Sequence, residues 1–192
     1  METTTAETSS TGAEGAAAHQ PLTTAEEKRK MKLLVAMDES DGSFYALKWA
    51  LDHIFCYPIQ PDLEESNMIT LVHVQPIYQP FIYPAGPVVY AAPAVIDAVK
   101  QAQAQNAAAI LSRALHICKE RKIKAETLIL EGDPKDRICQ AAEQLHADLI
   151  VIGSRGLGTI KRAFLGSVSS YCAHHVHCPV LIVKPPSKEA HK

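Results

Sequence analysis

From residue 153 the chain reads Gly153-Ser-Arg-Gly156-Leu-Gly-Thr-Ile-Lys-Arg-Ala-Phe-Leu-Gly166-Ser167, a G-x2-G-x9-G-S spacing. Glycines at these intervals suit the capture of an anion. Gly153 and Gly156 can take positive φ and carry no Cβ, so consecutive N–H groups can converge on a phosphate. Gly166 and Ser167 stand where a helix would open, and there the unpaired amides, the dipole and a hydroxyl all favour negative charge. Two donor clusters would then face one polyphosphate. Each glycine taken alone reads equally as a turn former. It is the whole spacing, set between an apolar run and a helix, that points to phosphate. The Gly-Lys-Ser/Thr triplet of a Walker loop is absent, and no dinucleotide fingerprint follows the first apolar run, so neither of those nucleotide sites is expected.

Two other groupings could carry chemistry. Cys172-Ala-His-His-Val-His-Cys178 gathers three His and two Cys, yet it straddles a helix end, where successive side chains diverge by about 100°. It also lacks a second, distant ligand pair of the usual metal spacing. It reads as a helix terminus whose His residues favour the dipole. His73 alternates with apolar neighbours and reads as a packed, hydrogen-bonded core residue. No local signature suggests a Ser, His and acid or a Cys and His nucleophilic site.

The elements that must position the glycine loop follow from apolar periodicity. Lys32 to Met37 and Met68 to Val74 are short apolar runs that predict the first two strands. From Ser43, residues Phe44, Leu47, Leu51, Ile54 and Phe55 recur at helical spacing, with Asp41 or Ser43 as the cap. Residues 76–93 hold five prolines and predict a long surface loop. Ala94 to about Arg121 predicts a long helix, with Ala107, Ile110, Leu111, Ala114 and Cys118 as its buried stripe. Thr127 to Leu130 is a third strand, and Asp133-Pro134 starts a helix carrying Ile138, Ala141, Ala142 and Leu145. Asp148 to Ile152 is a fourth strand, Gly166 to about Val176 a helix, and Pro179 to Lys184 a fifth strand. Strands alternating with helices predict a doubly wound α/β fold with a parallel sheet buried on both faces. Ligands of such sheets sit beyond the carboxyl ends of the strands, here on the loops after strands one, two and four.

The 192 residues suit one domain, with 47% apolar and 21% charged residues and a net charge of −2. That charge offers no general attraction to nucleic acid or anionic lipid, and no apolar run nears the roughly 18 residues of a membrane span. Five cysteines without repeated spacing fit a reducing, cytoplasmic setting, with the nucleus left open. Residues 1–28 read as a disordered tail, 29–185 as the domain and 186–192 as a second tail.

From about Lys32 to Lys184 the chain resembles the ATP-binding branch of the universal stress protein family. The resemblance rests on G-x2-G-x9-G-S, the opening Leu33-Leu-Val-Ala-Met-Asp38, Leu71-Val-His-Val74 and the closing Cys178-Pro-Val-Leu-Ile-Val-Lys184. It implies a single open sheet of five parallel strands in order 3-2-1-4-5 with helices on both faces, of the adenine nucleotide alpha hydrolase-like type. It also implies a homodimer paired through the last strand, Val180, Leu181, Ile182 and Val183. ATP or AMP is the implied ligand, with Mg or Mn as a candidate companion of the phosphates. By the same resemblance Asp38 would bond the ribose, although on its own it reads equally as a loop carboxylate or a helix cap. Val74 would read the adenine edge through its main chain, and Ala36 and Met37 would offer theirs. Ile152 would pack on the adenosine and Gly153 would touch the ribose. Gly156, Gly166, Ser167 and Val168 would hold the phosphates, with Ser169 as a further donor. Arg155, Lys161 and Arg162 read as solvated loop cations or as phosphate neighbours. A branched side chain at Gly156 or Gly166 is then expected to weaken ATP and spare adenosine.

The function implied is that of a nucleotide-dependent regulator in the stress response, acting by binding and not as an enzyme. A slow ATPase or adenylate-chemistry enzyme and a chaperone or scaffold using residues 76–93 are the alternatives. The enzyme has no dedicated base visible beyond Asp38, and for the scaffold the nucleotide loop would be incidental.

Overall fold

The computed structural model describes residues 31–55, 68–77, 93–156 and 165–186. The expected tails, Cys56, nearly all of the proline-rich stretch and Lys161 and Arg162 lie outside these residues. Among the described residues nine elements alternate: β1 (Lys32–Met37), α1 (Asp41–His53), β2 (Met68–Gln75), α2 (Pro93–Glu120), β3 (Ala125–Glu131), α3 (Pro134–Gln144), β4 (Leu149–Gly153), α4 (Ser167–His175) and β5 (Val180–Val183). All four strand pairings are parallel, and the sheet order is β3-β2-β1-β4-β5, as the resemblance implies.

The apolar runs of the central strands are continuous because both faces are covered. Leu33, Val35, Met37, Ile69 and Leu71 pack against Phe44, Leu47 and Leu51 of α1 and Leu111 and Ala114 of α2. Leu34, Ala36, Val72, Val74, Ile150 and Ile152 face Ile138, Ala141 and Ala142 of α3 and Cys172 of α4. The five residues of the expected α2 stripe are all buried.

Several boundaries differ from expectation by a residue or two, and four of the differences have a clear local reason. α1 is capped by Ser40, whose side chain accepts from Ser43 N–H, and not by Asp41 or Ser43. Pro93 does not end the preceding stretch but opens α2, a position where its missing N–H costs nothing. β3 runs from Ala125 to Glu131 and so takes in Glu126 and Glu131, because at the sheet edge those side chains stay in solvent. β4 begins one residue late, since Asp148 caps the start of β1, accepting from Lys32 N–H at 3.0 Å.

The order reverses between β1 and β4, whose neighbours lead to opposite edges. Beyond their carboxyl ends a crevice opens in which neither crossover helix fills the space.

Candidate nucleotide site

A cavity of about 790 Å³ occupies that crevice, within the size range of small-molecule sites, about 300–1,000 Å³. The structure brings all eleven expected residues to its wall. Ala36, Met37 and Asp38 come from the end of β1, and Val74 from β2. Ile152, Gly153 and Gly156 come from the exit of β4, and Gly166, Ser167, Val168 and Ser169 from the start of α4. Arg155 lines it as well.

The start of α4 supplies the donors. Gly166 is the N-cap and brings no side chain to satisfy the first turn. The first intrahelical bond is Ser170 N–H to Gly166 O at 2.9 Å, so the amides of Ser167, Val168 and Ser169 have no intrahelical partner. These amides and the positive end of the helix dipole make an anion site. The hydroxyl of Ser169 is not part of it. Ser169 is 2% exposed, and its Oγ donates inward to Gly166 O at 3.0 Å, so only its amide remains for a ligand. The ends of the glycine loop are tied together by Gly166 N–H donating to Ser154 O at 2.8 Å, while Ser154 N–H donates to Val183 O at 2.8 Å.

The glycines act by what they leave out. Among the described glycines only Gly132 has positive φ, so the expected left-handed conformation at Gly153 and Gly156 is not found. A Cβ on Gly153 would stand 2.9 Å from the carbonyl carbon of Gly42, and one on Gly42 would stand 2.6 Å from Arg155 O. The two glycines let the first turn of α1 lie directly on the backbone leaving β4. Gly156 instead gives way to the Asp38 carboxylate, since its Cβ would lie 2.5 Å from Oδ2.

Asp38 faces this backbone with one oxygen committed. Its Oδ1 accepts from Ser40 N–H at 3.0 Å and from Ser40 Oγ, an Asx-type turn. Ser40, Ser43, Gly42, His73 and Gln75 were not singled out as site residues by sequence. The Asp-x-Ser spacing at 38–40 was the available signal for Ser40. Gln75 Nε2 donates to Gln103 O at 3.0 Å, and Gln103 Nε2 to Pro76 O at 3.3 Å, clamping α2 to the end of β2 as a polar wall.

The His and Cys run turns its groups elsewhere. His174 and His175 are exposed and bond through Nδ1 to the carbonyls of Ser170 and Tyr171 at 2.7 and 2.8 Å. Cys172 is buried with its Sγ 3.7 Å from Cys139 Sγ. Burial pushes the Cys172 thiol up to about 12, with the neighbouring Cys139 adding to the rise.

The sequence profile of the universal stress protein family matches residues 30–184. The chain is 31% identical over 167 residues to the Universal stress protein A-like protein of Arabidopsis thaliana, a match covering 82% of this chain and 92% of that protein. The crystal structure of a universal stress protein family protein from Arabidopsis thaliana with AMP bound superposes with a TM-score of 0.57 at 28% identity, covering 83% of this chain and 94% of that one. A universal stress protein crystallised in complex with cAMP gives a TM-score of 0.54 at 25% identity, covering 80% and 96%.

Proposed function

The chain belongs to the universal stress protein family, and from that premise we propose that it binds ATP or AMP in the β1/β4 crevice as a nucleotide-dependent regulator. The observation that carries this reading is one cavity that joins a carboxylate at Asp38 to the amides of Ser167, Val168 and Ser169, which have no intrahelical partner. A ribose offers hydroxyl donors and a phosphate offers anionic acceptors, so a nucleotide matches both walls at once. Val74 and Ile152 provide apolar surface for the base between them. The related proteins with AMP and cAMP support the same ligand class.

Among the described residues no group of three His, Cys, Asp or Glu stands ready to hold a metal ion. A Mg or Mn ion accompanying the phosphates remains part of the proposal. The reading is one of binding and not turnover, in a reducing compartment such as the cytoplasm or nucleus that suits the free thiols Cys118, Cys139, Cys172 and Cys178. No described helix is long and apolar enough to cross a membrane. A homodimer formed by pairing of two β5 edges completes the proposal.

Mass spectrometry of the natively purified protein is expected to find AMP or ATP, and calorimetry to find saturable binding of ATP. A protein that carries no nucleotide and binds none overturns the reading. Single-turnover phosphate release no faster than that of a Gly166 and Ser167 double variant is expected. A clear excess would make the protein an enzyme.

A further inference from the structure

Asp38 lies just past the end of β1, where the sheet ladder no longer holds the chain, yet its groups are bonded on almost every side. Ahead of it, Met37 O receives a hydrogen bond from His73 Nδ1 at 2.9 Å. A carbonyl can only accept, so Nδ1 carries the ring proton. Asp38 N–H donates to Ser43 Oγ at 3.3 Å. The Ser43 hydroxyl lies 2.9 Å from Asp38 O and 3.0 Å from Ser40 O and shares its proton between them. With Oδ1 held by Ser40, Oδ2 is the carboxylate oxygen that the hydrogen bonds among the described residues leave for a ligand, and it stands against Gly156.

From this cradle we infer that Ser43 and His73 are positioning residues that give the site its selectivity for ribose hydroxyls by fixing the presented oxygen of Asp38. The inference rests on the nucleotide reading above and deepens it. Ser43 is 4% and His73 9% exposed, so each has little surface for a ligand; Ser43 acts through the Asp38 backbone and His73 through the Met37 carbonyl just ahead of it. A pinned carboxylate forms a charge-assisted bond with a hydroxyl at no further ordering cost. A ligand without that hydroxyl leaves the same carboxylate unpaired, which is how polar sites reject deoxy analogues. A carboxylate released from the cradle turns to water, and the penalty for the missing hydroxyl shrinks with it.

The test is calorimetry with ATP and 2′,3′-dideoxy-ATP on the full chain. Wild type is expected to prefer ATP by about tenfold or more, the scale of one good polar contact. Ser43→Ala and His73→Phe are each expected to cut that preference by about threefold or more through weaker ATP binding, with the dideoxy ligand changed less than about twofold. His73→Asn, whose amide can still donate to Met37 O, is expected to keep most of it. Equal losses on both ligands, as from a general structural defect, overturn the inference, and so does a preference that survives both variants. If circular dichroism shows that Ser43→Ala or His73→Phe does not fold, the remaining variant is judged by the same ratio. If neither folds while His73→Asn folds with its preference lowered as far as the threefold mark, the inference also falls, and an intact preference there sustains it. A wild type that binds neither ligand retires the nucleotide reading itself, whereas wild-type selectivity that the variants leave untouched retires only the positioning role.

Discussion

Asp38 Oδ2 lies so close to Gly156 that a Cβ on the glycine would come to 2.5 Å from it, whereas among the described residues a Cβ on Gly166 would meet nothing nearer than Ser154 O at 3.4 Å. The two glycines of one motif therefore do different work. Gly156 leaves room for the Asp38 carboxylate, proposed to face the ribose, and Gly166, with φ −64° and ψ 157° open to any residue, would leave room for a phosphate at the helix start under the same proposal. This divides an expectation that treated both as parts of one phosphate nest. Gly156→Ala is expected to weaken ATP and adenosine alike, by at least tenfold or about 1.4 kcal/mol, because it displaces Asp38. Gly166→Ala is expected to weaken ATP and leave adenosine within about twofold. Calorimetry on both ligands checks the contrast, and a Gly156 variant that spares adenosine contradicts it.

Gly42 and Gly153 carry a stability prediction. Their missing side chains are replaced by backbone of the other segment, at 2.6 Å for Gly42 and 2.9 Å for Gly153, and backbone cannot rotate aside as a long side chain can. Gly42→Ala and Gly153→Ala should each destabilise the fold by about 1–3 kcal/mol, the cost of overpacking. Urea unfolding measures it. Gly166→Ala serves as the control and should change the midpoint little.

These contacts also mark where sequence reading stopped. β1, β2 and β4 were legible because burial on both faces demands unbroken apolar runs, and Gly153, Gly156, Gly166 and Ser167 because an anion site built from main-chain amides needs small residues at fixed intervals; Ala36, Met37, Asp38, Val74, Ile152 and Val168 came from the family resemblance. The pairing of Gly42 with Gly153 was not legible, since it joins segments that become neighbours only when α1 lies over β4. Nor could the residues alone order the strands, because a run such as Thr127 to Leu130 does not record which edge it joins. That order came from the family resemblance. The cap of α1 was expected at Asp41 or Ser43, whereas Ser40, a third capping type within four positions, takes the role and is held by Asp38.

The proposed dimer makes a prediction at single-residue resolution. Pro179 O and Val183 O accept from Ile150 N–H and Ser154 N–H, so the alternation of a parallel ladder turns the amides of Val180 and Ile182 to the outer edge. Ile182→Pro removes one of those outward donors and leaves the bonds to β4 in place, a substitution edge strands tolerate. Light scattering is expected to give a dimer for wild type at micromolar concentration and a shift toward monomer for the variant. A monomeric wild type removes the dimer from the proposal.

The thiols supply a prediction about alkaline pH. Burial pushes Cys172 from its ordinary 9.0 up to about 12. It pushes Cys118 up to about 11, although nearby Arg121 pulls the other way. In both cases the folded protein favours the neutral thiol, so the unfolded chain ionises first as pH rises. The stabilising contribution is complete below about 9, where both states hold the proton, and is lost as pH climbs through about 11 for Cys118 and about 12 for Cys172. Because the thiolate is the nucleophile, the native protein should protect both residues from iodoacetamide at neutral pH, with half-buried Cys178 modified ahead of them. Peptide mapping of the alkylated protein, with circular dichroism across the same pH series, should show Cys118 and Cys172 labelling only as the fold is lost. Rapid alkylation of either residue in fully folded protein at neutral pH would mean that α2 and α4 open far more readily than their packing against the sheet implies.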